Sequence, residues 1–150
     1  PDTVELFNPG PAPVDLDGWA LKAGLFNNEA RRLPAFLLAP GAYVLVHDDA
    51  PDADAPYADG SGLHIGTFNV NGFSGAANLL EPHAFACVDF VRWGTSSHLP
   101  MFPCAWTGGA APNVANDDTL SRSGTTDTDD VSDWCATSTP TLGSANALCP

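Results

Sequence analysis

The sequence predicts a single all-β domain spanning residues 1–150, a β-sandwich with long loops. The composition is one reason: the chain has 14 Gly and 14 Pro but only one Lys and three Glu, and helices tolerate Gly and Pro poorly. About eight short apolar segments separated by turn signals are a second reason, since they are typical of a sandwich. The four cysteines lack C-x-x-C spacing, so they indicate two disulfides in an exported protein rather than a metal or redox motif.

The strands of the N-terminal half are predicted from short apolar runs that end at turns. Residues 3–7 alternate weakly and stop at a turn that begins with Asn8, before a proline and a glycine. Trp19 and Leu21 point to one face of a following strand. Residues 43–46 show no polar alternation, so we expect a central strand that is covered on both faces.

Strand signals return in the C-terminal half. They occupy residues 63–70, 78–81, 85–93, 119–122 and 133–136. Strict alternation within the third of these segments predicts that Cys87 and Phe90 lie on opposite faces. Two long loops separate the strands, an acidic one over residues 47–62 and a Pro-, Gly-, Ser- and Ala-rich one over residues 94–118.

The charge of the chain disfavours two classes of partner, nucleic acid and an anionic membrane surface. Lys and Arg total 5 while Asp and Glu total 18, which gives a formal net charge of -13. Such a chain repels a nucleic-acid backbone and an anionic membrane surface. No run approaches the roughly 20 apolar residues of a membrane-spanning helix, so membrane insertion is not expected. Because the sequence starts at Pro1 without a signal segment, we expect a mature or trimmed exported product.

Seven short motifs follow one another along nearly the whole chain. They are residues 4–10 (VELFNPG), 14–21 (VDLDGWAL), 38–46 (LAPGAYVLV), 88–94 (VDFVRWG), 120–122 (LSR), 133–134 (DW) and 140–146 (PTLGSAN). Their content and order resemble the lamin-tail domain family in its secreted bacterial form. The resemblance implies an immunoglobulin-like β-sandwich. One departure is Leu142, which stands where the closing motif of the family usually has proline.

The resemblance also implies that several motif residues belong to the framework. They are Glu5, Asn8, Gly18, Trp19, Trp93 and Trp134. Asp133 is expected to order a turn. The family normally has one more strand before residue 4, so the edge of this domain is expected to expose unpaired main chain. The missing strand was trimmed, is dispensable, or is donated by a neighbour.

Two loops are dense in aspartate and are candidate calcium sites. The predicted ligands are Asp48, Asp49, Asp52 and Asp54 in the first loop, and Asp127, Asp129 and Asp130 in the second. Calcium binds six to eight hard oxygens, which such loops supply. Neither loop has the D-x-D-x-D-G pattern, and a solvated acidic surface is the alternative interpretation. No other cofactor is expected.

No motif predicts catalysis. The four histidines lack zinc-ligand spacing, and the residues around Ser74 fall one glycine short of the G-x-S-x-G elbow, which also needs a helix after it. Trp106 lies in a Gly/Ala/Pro loop, where it either contacts a ligand or partner or holds the loop on the domain. We therefore expect a protein that is not an enzyme.

The cysteine pairing has three alternatives. We favour Cys87 with Cys135, because both lie in predicted strands near the centre, and Cys104 with Cys149, which would tie the long loop to the tail. The function predicted from these features is a non-catalytic extracellular structural or adhesive module at a cell surface. It would belong to an assembly or filament that strand pairing completes, with another copy or a neighbouring domain of the same parent protein as partner. The alternative is a ligand- or calcium-binding accessory module of a larger secreted enzyme.

Overall fold

The computed structural model describes residues 2–24, 30–48, 55–56, 60, 62–68, 70, 72–115 and 118–150. These residues form β-strands and one 3-10 helix (Val131–Asp133) but no α-helix, so the prediction of an all-β fold is confirmed. The strands are β1 (Thr3–Phe7), β2 (Val14–Asp15), β3 (Ala20–Gly24), β4 (Arg31–Arg32), β5 (Leu37–Leu38), β6 (Tyr43–His47), β7 (Ala55–Pro56), β8 (Gly62–His64), β9 (Ser74–Leu80), β10 (Cys87–Gly94), β11 (Thr119–Arg122) and β12 (Trp134–Thr137).

Eight of the described strands form two four-stranded sheets. The first has the order β1-β6-β8-β7, in which β6 and β8 are parallel and the other two pairs are antiparallel. The second has the order β10-β9-β3-β4 and is antiparallel throughout. Two small sheets, β11-β12 and β2-β5, complete the described part of the chain. The strand β1 therefore lies at the edge of its sheet.

The main apolar cluster is built by side chains from both four-stranded sheets. Val44 and Val46 of β6 and Leu63 of β8 share it with Leu21 and Ala23 of β3. Alternate residues of a strand point to opposite faces, so one face of each sheet supplies this cluster. Burying these side chains removes apolar surface from water, which is the main favourable term in folding.

A second apolar cluster covers the other face of the second sheet. In β9, Ala77 and Leu79 pack on the main cluster, whereas Ala76 and Leu80 belong to the second cluster together with Phe90 of β10. The loop after β10 supplies the outer side of this cluster. The second sheet is thus covered on both faces around β9.

The strand β6 differs in part from its sequence-based prediction. It is central, as expected, because it pairs with β1 on one side and β8 on the other. Its burial alternates, however: Val44 and Val46 are buried, while Tyr43, Leu45 and His47 are only half-buried. The prediction that both faces of β6 are fully covered was wrong. An apolar run indicates the propensity to form a strand, but it does not show what packs against each face of that strand.

A β-bulge changes the faces predicted for β10. The register with β9 shifts between Cys87 and Asp89. An extra residue in one strand reverses the side-chain alternation beyond it. Cys87 and Phe90 consequently lie in the same apolar cluster, and the prediction that they occupy opposite faces was wrong.

The disulfides join cysteines that are close in sequence. All four cysteines are disulfide-bonded, as expected, but the pairs are Cys87–Cys104 and Cys135–Cys149. The favoured pairing of Cys87 with Cys135 was wrong, because Cys135 lies in β12, which pairs only with β11 in the described residues and not with the sheet that contains Cys87. Two disulfides indicate an oxidising, extracellular type of environment.

Candidate functional site

The outer edge of β1 is the candidate site, and its main-chain geometry follows from the pairing with β6. The carbonyl of Asp2 accepts a hydrogen bond from the amide of Asp48 at 3.1 Å. Hydrogen-bonded and non-bonded positions alternate along an antiparallel pair, so the even-numbered residues bond to β6. The N–H and C=O groups of Thr3, Glu5 and Phe7 therefore point away from β6, and no described residue pairs with them.

The side chains of the same odd-numbered residues lie on the face of β1 that points away from the main core. Thr3 Oγ1 lies 3.0 Å from His47 Nδ1, and the rings of Phe7 and Tyr43 stack with centroids 4.5 Å apart. Glu5 stands between these two contacts. Cross-strand pairs of this kind fix the register of a strand, so β1 is held in place although no described residue bonds to the main chain of its outer edge.

Glu5 connects β1 to the C-terminal segment. Its Oε2 accepts a hydrogen bond from the amide of Gly143 at 2.5 Å. Partial burial raises the pKa of the Glu5 carboxyl, although the Gly143 amide acts in the opposite direction. Burial and the nearby Glu5 charge raise the pKa of Tyr43. Gly143 binds the side chain of Glu5, so this contact does not use the outward main-chain groups of β1.

Asn8 orders the turn that follows β1, in keeping with its expected framework role. Its Nδ2 donates to the carbonyls of Ala12 at 2.9 Å and Leu38 at 3.0 Å. Its Oδ1 accepts from the amide of Gly10 at 2.9 Å. Asn8 is only 4% exposed, and a buried amide requires such partners. The end of the open strand is thereby fixed.

The other edges of the two large sheets are covered or short. The outer edge of β10 meets the following loop: Cys87 donates to the carbonyl of Phe102 at 3.2 Å, and Gly94 donates to the carbonyl of Ala111 at 2.8 Å. The edge strands β4 and β7 have two residues each. Within the described residues, β1 is the long strand of these two sheets with an open edge.

Several motif residues meet at Arg122, which joins β10 to the β11-β12 pair. Its guanidinium binds Asp89 Oδ1 at 2.7 Å and Asp127 Oδ2 at 3.0 Å, and it lies 4.7 Å from the centre of the Trp134 ring. Partial burial raises the pKa of Asp89, while Arg122 opposes that shift. This cluster is a structural link between elements, since its ion pairs and its ring contact join β10, the segment around Asp127 and β12.

Asp133 orders the segment that enters β12, as expected. Its carboxylate accepts hydrogen bonds from the amide of Thr128 at 2.7 Å, from the hydroxyl of Thr128 at 2.9 Å, and from the amide of Asp130 at 3.4 Å. Burial would raise its pKa, but these hydrogen bonds outweigh burial and lower the pKa overall. The ionised form of Asp133 therefore stabilises the folded protein.

We predict that Asp133→Asn destabilises the protein by about 2 kcal/mol at neutral pH, since hydrogen bonds to a charged group are lost. A lowered pKa gives stability that is present above the pKa of the unfolded chain and is lost as pH falls through the folded value. The difference in unfolding free energy between wild type and Asp133→Asn should therefore shrink below about pH 4.

Urea unfolding at a series of pH values measures this difference. Asp129→Asn is the matched control, because Asp129 has a φ of 56°, which asparagine tolerates, and its side chain accepts none of the hydrogen bonds described in this loop. The control should stay close to wild type at every pH. A difference for Asp133→Asn that does not change with pH would contradict the assignment of the stabilising role to the ionised carboxylate.

The predicted calcium ligands that the structure describes do not converge on one site, and several of them bind different protein groups. Three of them lie outside the described residues: Asp49, Asp52 and Asp54. Asp48 Oδ1 accepts from the amide of Asp2 at 2.8 Å, and Asp130 Oδ1 accepts from the amide of Ser132 at 2.8 Å; Asp127 is a partner in the salt bridge described above. Among the described residues, no group of three or more His, Cys, Asp or Glu is placed to hold a metal ion. Calcium binding stays a prediction.

The remaining predicted site residues belong to turns and cores. Gly18 has a φ of 74° at the corner before β3, and Trp19 packs on the main cluster. Trp93 is buried. Trp106 meets the ring of Phe90 edge-on with centroids 5.5 Å apart, so it holds the long loop on the second sheet. This packing favours the structural interpretation of Trp106 over a contact with a ligand.

Sequence reasoning missed two features of the structure, the ion pair between Asp89 and Arg122 and the exposure of two large apolar side chains. It identified the motif that contains Asp89, but nothing in the sequence pairs that residue with Arg122. It also missed Leu99 and Phe102, which are 77% and 91% exposed. A usable signal was present, because the long stretch around them lacks acidic residues in an otherwise acidic chain.

The chain matches no protein-family model, no curated protein and no solved structure. The lamin-tail resemblance therefore stays a prediction drawn from the motifs. In the part of the chain that the structure describes, no helix has the length and apolar character needed to cross a membrane.

Proposed function

We propose that this chain is a non-catalytic, secreted contact module with an immunoglobulin-like sandwich fold, which joins copies of itself in a surface assembly by strand pairing. The observation that carries the proposal is the outer edge of β1. There the main-chain groups of Thr3, Glu5 and Phe7 point outward with no partner among the described residues. Unpaired edges of this kind are templates for another strand.

The sequence of β1 supports this interpretation because it lacks the usual protection of an edge. Natural sheets block edge pairing with lysines, prolines, bulges or very short strands. The strand β1 has five residues in an unbroken register with β6, and its only charged residue is Glu5. Each hydrogen bond to an added strand would contribute about 0.5–1.5 kcal/mol. The two disulfides are consistent with an extracellular location.

The experiment compares two substitutions at one position. The N–H of Glu5 points outward, so Glu5→Pro removes a donor needed by an added strand while sparing the ladder with β6. Glu5→Thr loses the same carboxylate and the same contact with Gly143 but keeps the N–H. We expect Glu5→Thr to associate like wild type or more strongly, because a charge leaves the edge, and Glu5→Pro to lose edge association. Sedimentation velocity over a wide concentration range measures both.

A third variant checks the geometry on which the design depends. The N–H of Val4 points toward β6, so Val4→Pro should break the ladder and destabilise the fold, whereas Glu5→Pro should keep a near-native melting temperature. Association of Glu5→Pro that equals that of Glu5→Thr would show that the β1 edge is not the joint. A wild-type protein that is monomeric at every concentration would remove self-association from the proposal.

A further inference from the structure

One long part of this acidic chain carries no acidic residue. Residues 90–116 contain no Asp or Glu, although the whole chain has 18. The cores of protein interfaces are depleted in charge and enriched in aromatic residues, Met and Arg. This stretch shows that depletion of charge, since Arg92 is its only charged residue, and it presents the aromatic side chain of Phe102 to solvent.

Within this stretch, large apolar side chains face solvent. Leu99 is 77% exposed and Phe102 is 91% exposed. Val88, 51% exposed, belongs to the neighbouring strand, because the amide of Cys87 next to it donates to the carbonyl of Phe102 at 3.2 Å. We call residues 98–104 together with Val88 the apolar loop. Large apolar side chains exposed on one segment mark candidate interaction sites.

The apolar loop is held firmly to the second sheet. The Cys87–Cys104 disulfide closes it. The amide of Met101 donates to Oδ1 of Asn78 at 3.0 Å, and Asn78 is fully buried in β9. Since the loop is fixed from below, binding through its exposed side chains costs little conformational entropy.

Two polar side chains beside the apolar loop, Arg92 and Trp106, already have hydrogen-bond partners inside the protein. The guanidinium of Arg92 donates to the carbonyls of His98 at 3.2 Å and Gly108 at 3.0 Å. Trp106 Nε1 donates to the carbonyl of Gly109 at 2.7 Å. Covering this surface therefore leaves these donors satisfied, which avoids the penalty of burying them without a partner.

We propose that the apolar loop is a second joint, which contacts the apolar loop of another copy of this chain about a two-fold axis. Net charge favours that occupant. Each copy carries -13, so contacts between other surfaces bring carboxylates together. Residues 90–116 carry no carboxylate, and of those that border them Asp89 is paired with Arg122 and Asp130 accepts a hydrogen bond from Thr107. The partner also presents matching exposed apolar side chains.

This second joint rests on the proposed function, because it links the dimers that pairing at the β1 edge would form. Pairing of β1 with β1 of another copy is two-fold and closes at a dimer. A second two-fold joint on a different surface links those dimers end to end. The two joints together produce a filament, whereas either joint alone produces a dimer.

The experiment removes each joint separately. Leu99→Ser with Phe102→Ser removes the exposed side chains of the apolar loop, and Leu37→Ser with Leu148→Ser is the control, since those residues are 67% and 79% exposed elsewhere. We expect filaments from wild type and from the control, dimers from Glu5→Pro, dimers from the loop variant, and monomers when Glu5→Pro and the loop substitutions are combined. In the Glu5→Pro background, the loop substitutions should raise the dissociation constant on the order of tenfold or more.

The outcomes separate the two proposals. A monomeric Glu5→Pro protein beside a dimeric loop variant would overturn the second joint and leave the β1 edge intact. A dimeric Glu5→Pro protein beside a monomeric loop variant would overturn the edge and keep the apolar loop. If the control substitutions at Leu37 and Leu148 weakened association equally, the effect would reflect nonspecific hydrophobic association, and the inference would be overturned. Binding of phosphatidylcholine vesicles by the Glu5→Pro protein, without dimers, would replace the second copy by a lipid surface.

Discussion

Gly94→Ala is expected to destabilise the protein by about 3 kcal/mol or more, the largest effect of any single substitution considered for this chain. Gly94 ends β10 with a φ of 65°, a conformation that an L side chain resists. A Cβ there would lie 1.8 Å from the carbonyl oxygen and 2.7 Å from the carbonyl carbon of Phe73. Both atoms belong to the main chain, so no side-chain rotation relieves the overlap.

Gly41→Ala separates conformational strain from overlap. Gly41 has a φ of 69°, and a Cβ there would meet nothing within 4 Å. Gly41→Ala therefore tests the left-handed backbone conformation without steric overlap. We expect this substitution to lower the free energy of unfolding by about 1 kcal/mol. Urea unfolding gives both free energies. Equal losses at the two positions would show that the close approach of the Phe73 carbonyl contributes nothing, contrary to the geometry of this corner.

The sequence was sufficient for the elements that depend on local pattern. Turn residues after Phe7 and before Trp19 delimited two strands, and Leu21 entered the main core as its alternation required. Asp133 could be recognised as a turn-ordering residue through the motif around it. In each case the deciding interactions lie within a few residues, where propensity and hydrogen bonding to the nearby main chain act directly.

Sequence reasoning was insufficient where a single residue changes the geometry of the rest of its strand. The bulge between Cys87 and Asp89 has no sequence signature, yet it moves Cys87 onto the face of Phe90 and into reach of Cys104. The wrong disulfide pairing has a different cause: it assumed that Cys87 and Cys135 both lie near the centre of the sandwich, whereas Cys135 lies in β12, which pairs only with β11 in the described residues. Register shifts depend on the partner strand, which a pattern within one strand does not contain.

The candidate site was predictable only in part for a similar reason. The resemblance implied an open edge next to residue 4, and Glu5 was expected as a framework residue. The pairing of β1 with β6 decides whether the odd- or the even-numbered residues of β1 point their main-chain groups outward. Only the structure shows that these are the odd-numbered residues. The exposure of Leu99 and Phe102 depends in turn on how the loop is tied to β9, since composition alone does not separate an exposed apolar side chain from a buried one.

Removal of the Cys87–Cys104 disulfide by Cys87→Ala with Cys104→Ala is expected to destabilise the protein by roughly 3 kcal/mol through the unfolded chain, and by about 1 kcal/mol more through lost packing. The first contribution follows from a loop of 17 residues. The second arises because Cys87 is 5% exposed in the second cluster.

The other disulfide is a matched control for the first. Cys135 and Cys149 close a loop of 14 residues, so the contribution through the unfolded chain is nearly the same, roughly 3 kcal/mol. Both cysteines are only half-buried, so little packing is lost with them. Urea unfolding of the two double variants should therefore place Cys87→Ala with Cys104→Ala lower in stability.

Association adds a second readout, because only one disulfide holds the apolar loop. In the Glu5→Pro background, loss of Cys87–Cys104 frees the segment that presents Leu99 and Phe102, and the flexible loop must be ordered again when it binds. Dimers should weaken in that variant and persist when Cys135 and Cys149 are replaced. If both double variants lost stability and association equally, the disulfide at Cys87 would act only on the unfolded chain, and the fixed presentation of the apolar loop would have no role in binding.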